Sequence, residues 1–466
     1  MTSTLPERGG ALLAPPSALP PVERRAAIPQ GFLAGGATVG IKASGRPDLA
    51  IVTTLPGPAG RAPAAAAAVF TPNTMAAAPV RLSRANLAAT APEGEGRWGW
   101  ATGLVSTSGS ANAATGAAGD ADQLAIVEAL AAALGSTPAR ALAMSTGVIG
   151  TRLPLDRILP GIGRLVADGL EAGDAGLEAA ANALRTTDSR TKVATTTVEL
   201  PGGGRPVSVR VSGMAKGVGM IHPRMATMLA VLLTDATLEP AVASGLLRSA
   251  AARTWNQLSI DGDTSTNDTV ILLASGAAGA EPVEADSAAA AALGAAIDAV
   301  ARDLARQQAA DGEGATTLLT CLVTGATDDA DARAVARAVV SSSLVKAAIH
   351  GRDPNWGRIA GAAGNARVAD AAVLRAVGLT AGEADERAGR PAVVDPDRLR
   401  IAIAGTLVFD GPAGGPMAFD RTGVRGAMEA PECLVRLDLG LGDGSGEAFG
   451  CDLTEAYVRA NSEYTT

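Results

Sequence analysis

Aromatic residues make up only 2% of this 466-residue chain, and it carries two histidines and three cysteines. So few rings leave the interior to Ala, Val, Leu and Ile, which must pack closely to fill it. Two histidines, His222 and His350, exclude a multi-histidine metal centre and leave little room for histidine-based acid–base chemistry. Cys321, Cys433 and Cys451 are scattered. They give neither a disulfide framework nor zinc spacing, so no metal is expected and a reducing cytoplasm is the natural compartment. The charges, 39 basic against 47 acidic, contain no Lys/Arg block of the kind that tracks phosphates, which argues against nucleic acid as a partner. No apolar run reaches membrane-spanning length, and prolines at 15, 16, 20 and 21 break the N-terminal apolar patches, so neither a membrane span nor a signal peptide is expected.

What is present is a chain rich in Gly and Ala, too long for one small core. Residues 1–27 show no period and read as a disordered lead-in, with structure starting near Ile28. Strands are expected at Leu49–Thr54, at Ala65–Phe70, from Gly103 and from Arg140 to Thr146. Further strands are expected at Lys192–Leu200 and Pro206–Ser212, joined by a Pro-Gly-Gly-Gly turn, and at Thr269–Leu273 and Leu318–Thr324. Helices are expected from Asp120 or Asp122 to Leu134, at Asp174–Leu184, Pro240–Trp255, Ser287–Gln308 and about Asp331–Ile349. Long helices alternating with strands and hairpins predict a layered α/β architecture with mixed sheets.

Four stretches carry chemistry-bearing residues. Lys216–Leu229 reads Lys-Gly-Val-Gly-Met-Ile-His-Pro-Arg-Met-Ala-Thr-Met-Leu, a bent Gly/Pro segment that opens, at Thr227, into a buried strand. It is either a connecting loop or the seat of an activated hydroxyl nucleophile. Ser145–Gly150 either ends a strand or aims backbone donors at one point, as an oxyanion hole needs, at about 3 kcal/mol per donor. The acidic loop Asp261, Asp263, Asp268 fits calcium-loop spacing poorly. His350–Arg358 is dense in charged and aromatic groups. Its Asp353–Trp356 part and the Asp261 loop are expected to brace the walls of the site, with Trp356 as a packing anchor and without catalytic roles for His222 or His350.

Taken in order, Thr146-Gly147, Lys216–Leu229, Gly312-Glu-Gly-Ala-Thr316, Asp353-Pro-Asn-Trp-Gly-Arg358 and the Asn461 tail resemble the ornithine acetyltransferase family of arginine biosynthesis. Gly40–Asp48, Ser108–Gly116 and Ser259–Thr269 extend the resemblance over nearly all of the chain from Gly31. It implies an αββα sandwich resembling N-terminal nucleophile hydrolases but differing in topology. It also implies a precursor that cuts itself between Ala226 and Thr227. Residues 28–226 then form an α chain and 227–466 a β chain, with two such pairs assembling as a heterotetramer.

The implied reaction moves acetyl from N-acetylornithine to glutamate through an acetyl-threonine, without a cofactor; some family members also accept acetyl-CoA as donor. Thr227 suits this chemistry: its hydroxyl can drive an N-to-O acyl shift, and the freed α-amine, with a reference pKa of roughly 7.7 to 8, can serve as base. By resemblance Thr146 and Gly147 are the oxyanion donors, and Thr187, Lys216, Thr227, Glu313, Asn461 and Thr466 bind substrate. Lys216 suits an α-carboxylate and Glu313 a cationic amine. Thr186 competes with Thr187 for its place, because Asp-Ser-Arg-Thr-Lys192 departs from the family's usual text there. Thr317 and Ala114 stand where Lys and Cys are frequent, which keeps a paralogue of secondary metabolism open. A self-processing amidase or aminopeptidase remains the alternative from another class.

Overall fold

The computed structural model describes residues 19–57, 60–222 and 228–463. At its centre is a six-stranded mixed sheet in the order Trp98–Ala101, Ala64–Phe70, Thr269–Ala274, Leu229–Thr234, Arg205–Lys216, Lys192–Gly202. Only Leu229–Thr234 and Thr269–Ala274 run parallel, in register Leu229 to Thr269; the other neighbours are antiparallel. The central strands are buried along their whole length and largely apolar because both faces are covered. Alternate residues of one strand feed different cores. Ala230 and Leu232 face the helices Pro240–Arg253 and Ala288–Ala310, whereas Val231 and Leu233 face a second sheet.

That second sheet has four strands, ordered Phe32–Ala37, Leu49–Thr54, Gly103–Ser110, Ala141–Val148. Its far face carries Leu49, Ile51, Val105 and Ala143 against the helices Gly116–Leu134 and Leu155–Asp168. The layers therefore run helix, sheet, sheet, helix, the expected αββα sandwich. Alanine strands such as Ala64–Phe70 let the two sheets approach without rings between them.

A third sheet of seven strands packs on the outer side of Ala288–Ala310. Its order is Leu258–Ser259, Gly444–Cys451, Leu318–Ala326, Glu432–Asp438, Arg400–Ile403, Thr406–Asp410, Gly415–Pro416. The long helix has two faces to match. Leu293, Ile297, Val300 and Leu304 enter the apolar core, while Arg302 pairs with Glu447 and Arg306 with Glu432 on the third sheet.

Several expectations need correction. Residues 19–27 are not a disordered lead-in: Glu23 bridges Thr195, Thr196 Oγ1 donates to the Pro21 carbonyl at 2.7 Å, and Arg24 pairs with Asp303 at 2.9 Å. The helix expected to start at Asp120 or Asp122 starts at Gly116, and those carboxylates instead pair with Arg81 and Arg152. The single helix expected over 331–349 is two, Asp329–Ser341 and Ser343–His350, because the Ser342 side chain caps the second by accepting from Val345 N. Gly147 lies inside its strand rather than ending it.

Candidate active site

The upper ends of both central sheets meet around a cavity of about 120 Å³. Thr146 and Gly147 come from Ala141–Val148, Lys216 from the end of Arg205–Lys216, and Met228 from the mouth of Leu229–Thr234. Glu313 and Asn461 reach in from beyond the sandwich.

Gly147 is required by its surroundings. The pairing of Gly103–Ser110 with Ala141–Val148 is irregular there, Gly147 has φ +129°, and a Cβ on it would lie 2.3 Å from the Gly109 carbonyl carbon. Beside it, Lys216 Nζ donates to Thr146 Oγ1 at 2.9 Å. Burial pushes the Lys216 ammonium below its usual range, opposed by the Asp188 carboxylate.

Asp188 belongs to a buried charge network under this wall. It accepts from Gly217 N at 2.8 Å and from Lys192 Nζ at 2.7 Å, and Lys192 also reaches Asp311 at 2.5 Å. The side chains of Asp188 and Lys192 are 0% exposed. Burial alone would raise the Asp188 pKa, but Lys192 and then Lys216 outweigh it and hold it at about 2. Asn267 ties the neighbouring loops together, with Nδ2 donating to the Ala111 carbonyl at 2.6 Å and the Ser145 carbonyl at 2.8 Å.

The other side is an exposed polar clamp. Glu313 accepts from Thr187 Oγ1 at 2.8 Å and from Asn461 Nδ2 at 3.0 Å, and its own N–H donates to the Val218 carbonyl at 2.7 Å. Gly219 makes this approach feasible, since a Cβ there would lie 2.4 Å from Glu313 Oε2. Asp261 pins the segment between the two sides by accepting from Met220 N and, at 2.9 Å, from Ile221 N.

Six residues expected at the site therefore stand together: Thr146, Gly147, Thr187, Lys216, Glu313 and Asn461. Thr186 lines the same cavity, but the hydroxyl of Thr187 is the one that engages Glu313. Ala226, Thr227 and Thr466 lie outside the described residues. His222 engages Ser259 Oγ at 3.0 Å and lines a different cavity, and His350 engages Asp452 at 3.1 Å.

The Asp261 loop braces the wall as expected, through backbone donors. The Asp353–Arg358 loop does not. Asp353 pairs with Arg421, Asn355 caps the helix Trp356–Gly364, and Trp356 stacks on Phe409 at 4.9 Å, in the core of the third sheet. Trp356 is the packing anchor expected, but for that sheet rather than the site. Sequence reasoning missed Asp188, Lys192, Asp311 and Asn267. The i,i+4 spacing of Asp188 and Lys192 was the available signal, one shared by many exposed pairs.

Comparison with known proteins decides the family. The profile of the ArgJ family matches residues 33–466. The chain belongs to the ArgJ family. The arginine biosynthesis bifunctional protein ArgJ of Thermosynechococcus vestitus is 43% identical over 437 residues, 94% of this chain and 97% of that one. Its counterpart in Thermus thermophilus is 41% identical over 439 residues, 94% of this chain and 99% of that one. A crystal structure of ornithine acetyltransferase with ornithine, from Mycobacterium tuberculosis, is 38% identical with a TM-score of 0.37, covering 44% of this chain and 97% of that one. As an ArgJ, the chain is a bifunctional acetyltransferase of arginine biosynthesis. Among the described residues no helix is long and apolar enough to cross a membrane, and no group of three His, Cys, Asp or Glu is arranged to hold a metal.

Proposed function

We propose that this ArgJ cuts itself between Ala226 and Thr227 and then uses Thr227 as nucleophile, moving acetyl from N-acetylornithine to glutamate. What carries this reading is the cavity that gathers Thr146, Gly147, Lys216, Glu313 and Asn461 around Met228, the residue joined to Thr227 in the chain. The freed α-amine of Thr227 takes the hydroxyl proton as Oγ attacks the acetyl carbonyl. Thr146 and Gly147 supply donors to the oxyanion. Lys216 neutralises the substrate α-carboxylate, and Glu313 receives the side-chain amine, with Thr187 and Asn461 holding its two oxygens in place. Thr466 completes the substrate set. The relatives' bifunctional name is consistent with a second activity, for which acetyl-CoA is the candidate donor. The α and β chains remain in one fold and pair as a cytoplasmic heterotetramer.

The test is a product balance. With N-acetylornithine and glutamate, the wild-type chain yields N-acetylglutamate and ornithine in equal amounts. Acetate as the main acetyl product overturns the transferase reading in favour of a hydrolase.

A further inference from the structure

Three titratable residues line the cavity among the described residues: Lys216, Glu313 and Asp268. The first two have partners. Lys216 donates to Thr146, and Glu313 accepts from both Thr187 and Asn461, an arrangement that suits an ionised carboxylate.

Asp268 is different. It is 2% exposed, and its Oδ2 meets no hydrogen-bond partner. A buried acceptor without a donor is costly for a carboxylate, and much less so for a carboxylic acid. Burial accordingly pushes its pKa well above the usual carboxylate range, against the opposing pull of Ser265 and Lys216.

Strand register fixes its place. Leu229 pairs with Lys216 on one side and Thr269 on the other, and Thr269 N donates to the Met228 carbonyl at 2.8 Å. Asp268 and Lys216 thus flank the mouth of the strand that begins just after Thr227.

Acetyl transfer from an amide has a requirement that this group meets. An amine cannot depart as its anion, so a proton must reach the nitrogen as the C–N bond breaks. We infer that Asp268 is the general acid–base of acetyl transfer, giving its proton to the departing amine of the donor and recovering one from the acceptor amine. The inference rests on the reading of Thr227 as nucleophile.

The two half-reactions balance. In the first, the Oγ–C bond forms, the hydroxyl proton passes to the Thr227 α-amine, the C–N bond breaks, and the nitrogen leaves with the Asp268 proton. In the second, the acceptor nitrogen forms the new C–N bond and gives a proton to the Asp268 carboxylate. The C–Oγ bond then breaks, and Oγ recovers the proton held by the α-ammonium. Both groups return to their starting states.

A change of leaving group isolates this role. Nitrophenolate departs without a proton, so p-nitrophenyl acetate needs no acid, whereas N-acetylornithine does. The rate of acetyl incorporation into the cut chain, followed by intact mass, is compared for the two donors in wild type and Asp268→Asn. The variant is expected to lose about 10²–10⁴-fold with the amide donor and to change less than about threefold with the ester. Equal losses with both donors, or none with the amide, overturn the assignment. Asp268→Ser is scored by the same ratio where the Asn variant does not mature. A wild-type chain that takes no acetyl from either donor indicts the nucleophile reading instead.

Discussion

The two sides of the cavity are built by opposite means. Under Lys216 and Gly217, Asp188 and Lys192 are closed to solvent and bonded to each other, and Lys192 also to Asp311. Around Glu313, Thr187 and Asn461 are exposed and hold the carboxylate with single side-chain bonds. Buried ion pairs with satisfied partners fix geometry at a large energetic stake, whereas exposed polar bonds contribute little to folding and can exchange for a ligand. The wall under Lys216 is therefore set by the fold itself, and the Glu313 side is free to trade its bonds for those of a ligand.

The sharpest way to break this contrast is to unpair the buried side. Lys192→Met leaves two carboxylates facing each other and is expected to lower stability by about 3–5 kcal/mol in urea unfolding. A loss under about 1 kcal/mol would make the network an ordinary surface pair. Next in size, Gly147→Ala sets a Cβ against the Gly109 backbone and displaces the proposed oxyanion donor. Turnover is expected to drop about 10²–10³-fold in steady-state assays, with KM changing far less.

The pH limb comes third. Asp188 has a folded pKa of about 2 against an ordinary 3.8, so its contribution is fully present above about pH 4 and is lost as pH falls through about 2. Acid titration of stability should show roughly 2 kcal/mol lost across that window, and Asp188→Asn should flatten it. The exposed side gives the smallest effect. Glu313→Gln should raise KM for N-acetylornithine about tenfold, with the melting temperature within about 2 °C of wild type.

These differences also explain what could be read from the sequence. Strands such as Leu49–Thr54 and Thr269–Ala274 are buried throughout and largely apolar because both faces are covered, and such runs announce themselves. Glu432–Asp438 alternates buried with half-exposed positions, and with Arg400–Ile403 it passed without a strand assignment. The split at Ser342 was hidden by Ala- and Val-rich helical text on both sides.

At the site, the resemblance placed Thr146, Lys216, Glu313 and Asn461 by motif. Nothing in the sequence joins Lys192 to Asp311, 119 positions away, because a buried charge and a solvated one are written with the same letter. Asp268 was visible as part of a poor calcium loop and of the Ser259–Thr269 stretch; the lack of a donor to its Oδ2 is a property of packing.

In the proposed mechanism one residue, Thr227, is both chain start and nucleophile. Intact mass spectrometry of wild type and Thr227→Ala, with and without N-acetylornithine, tests it most directly. Two wild-type fragments that divide between Ala226 and Thr227 are expected, with a single acetyl added to the later one, and an uncut, unacetylated Thr227→Ala chain. A wild-type chain that stays whole, or an acetyl that persists on Thr227→Ala, would contradict it.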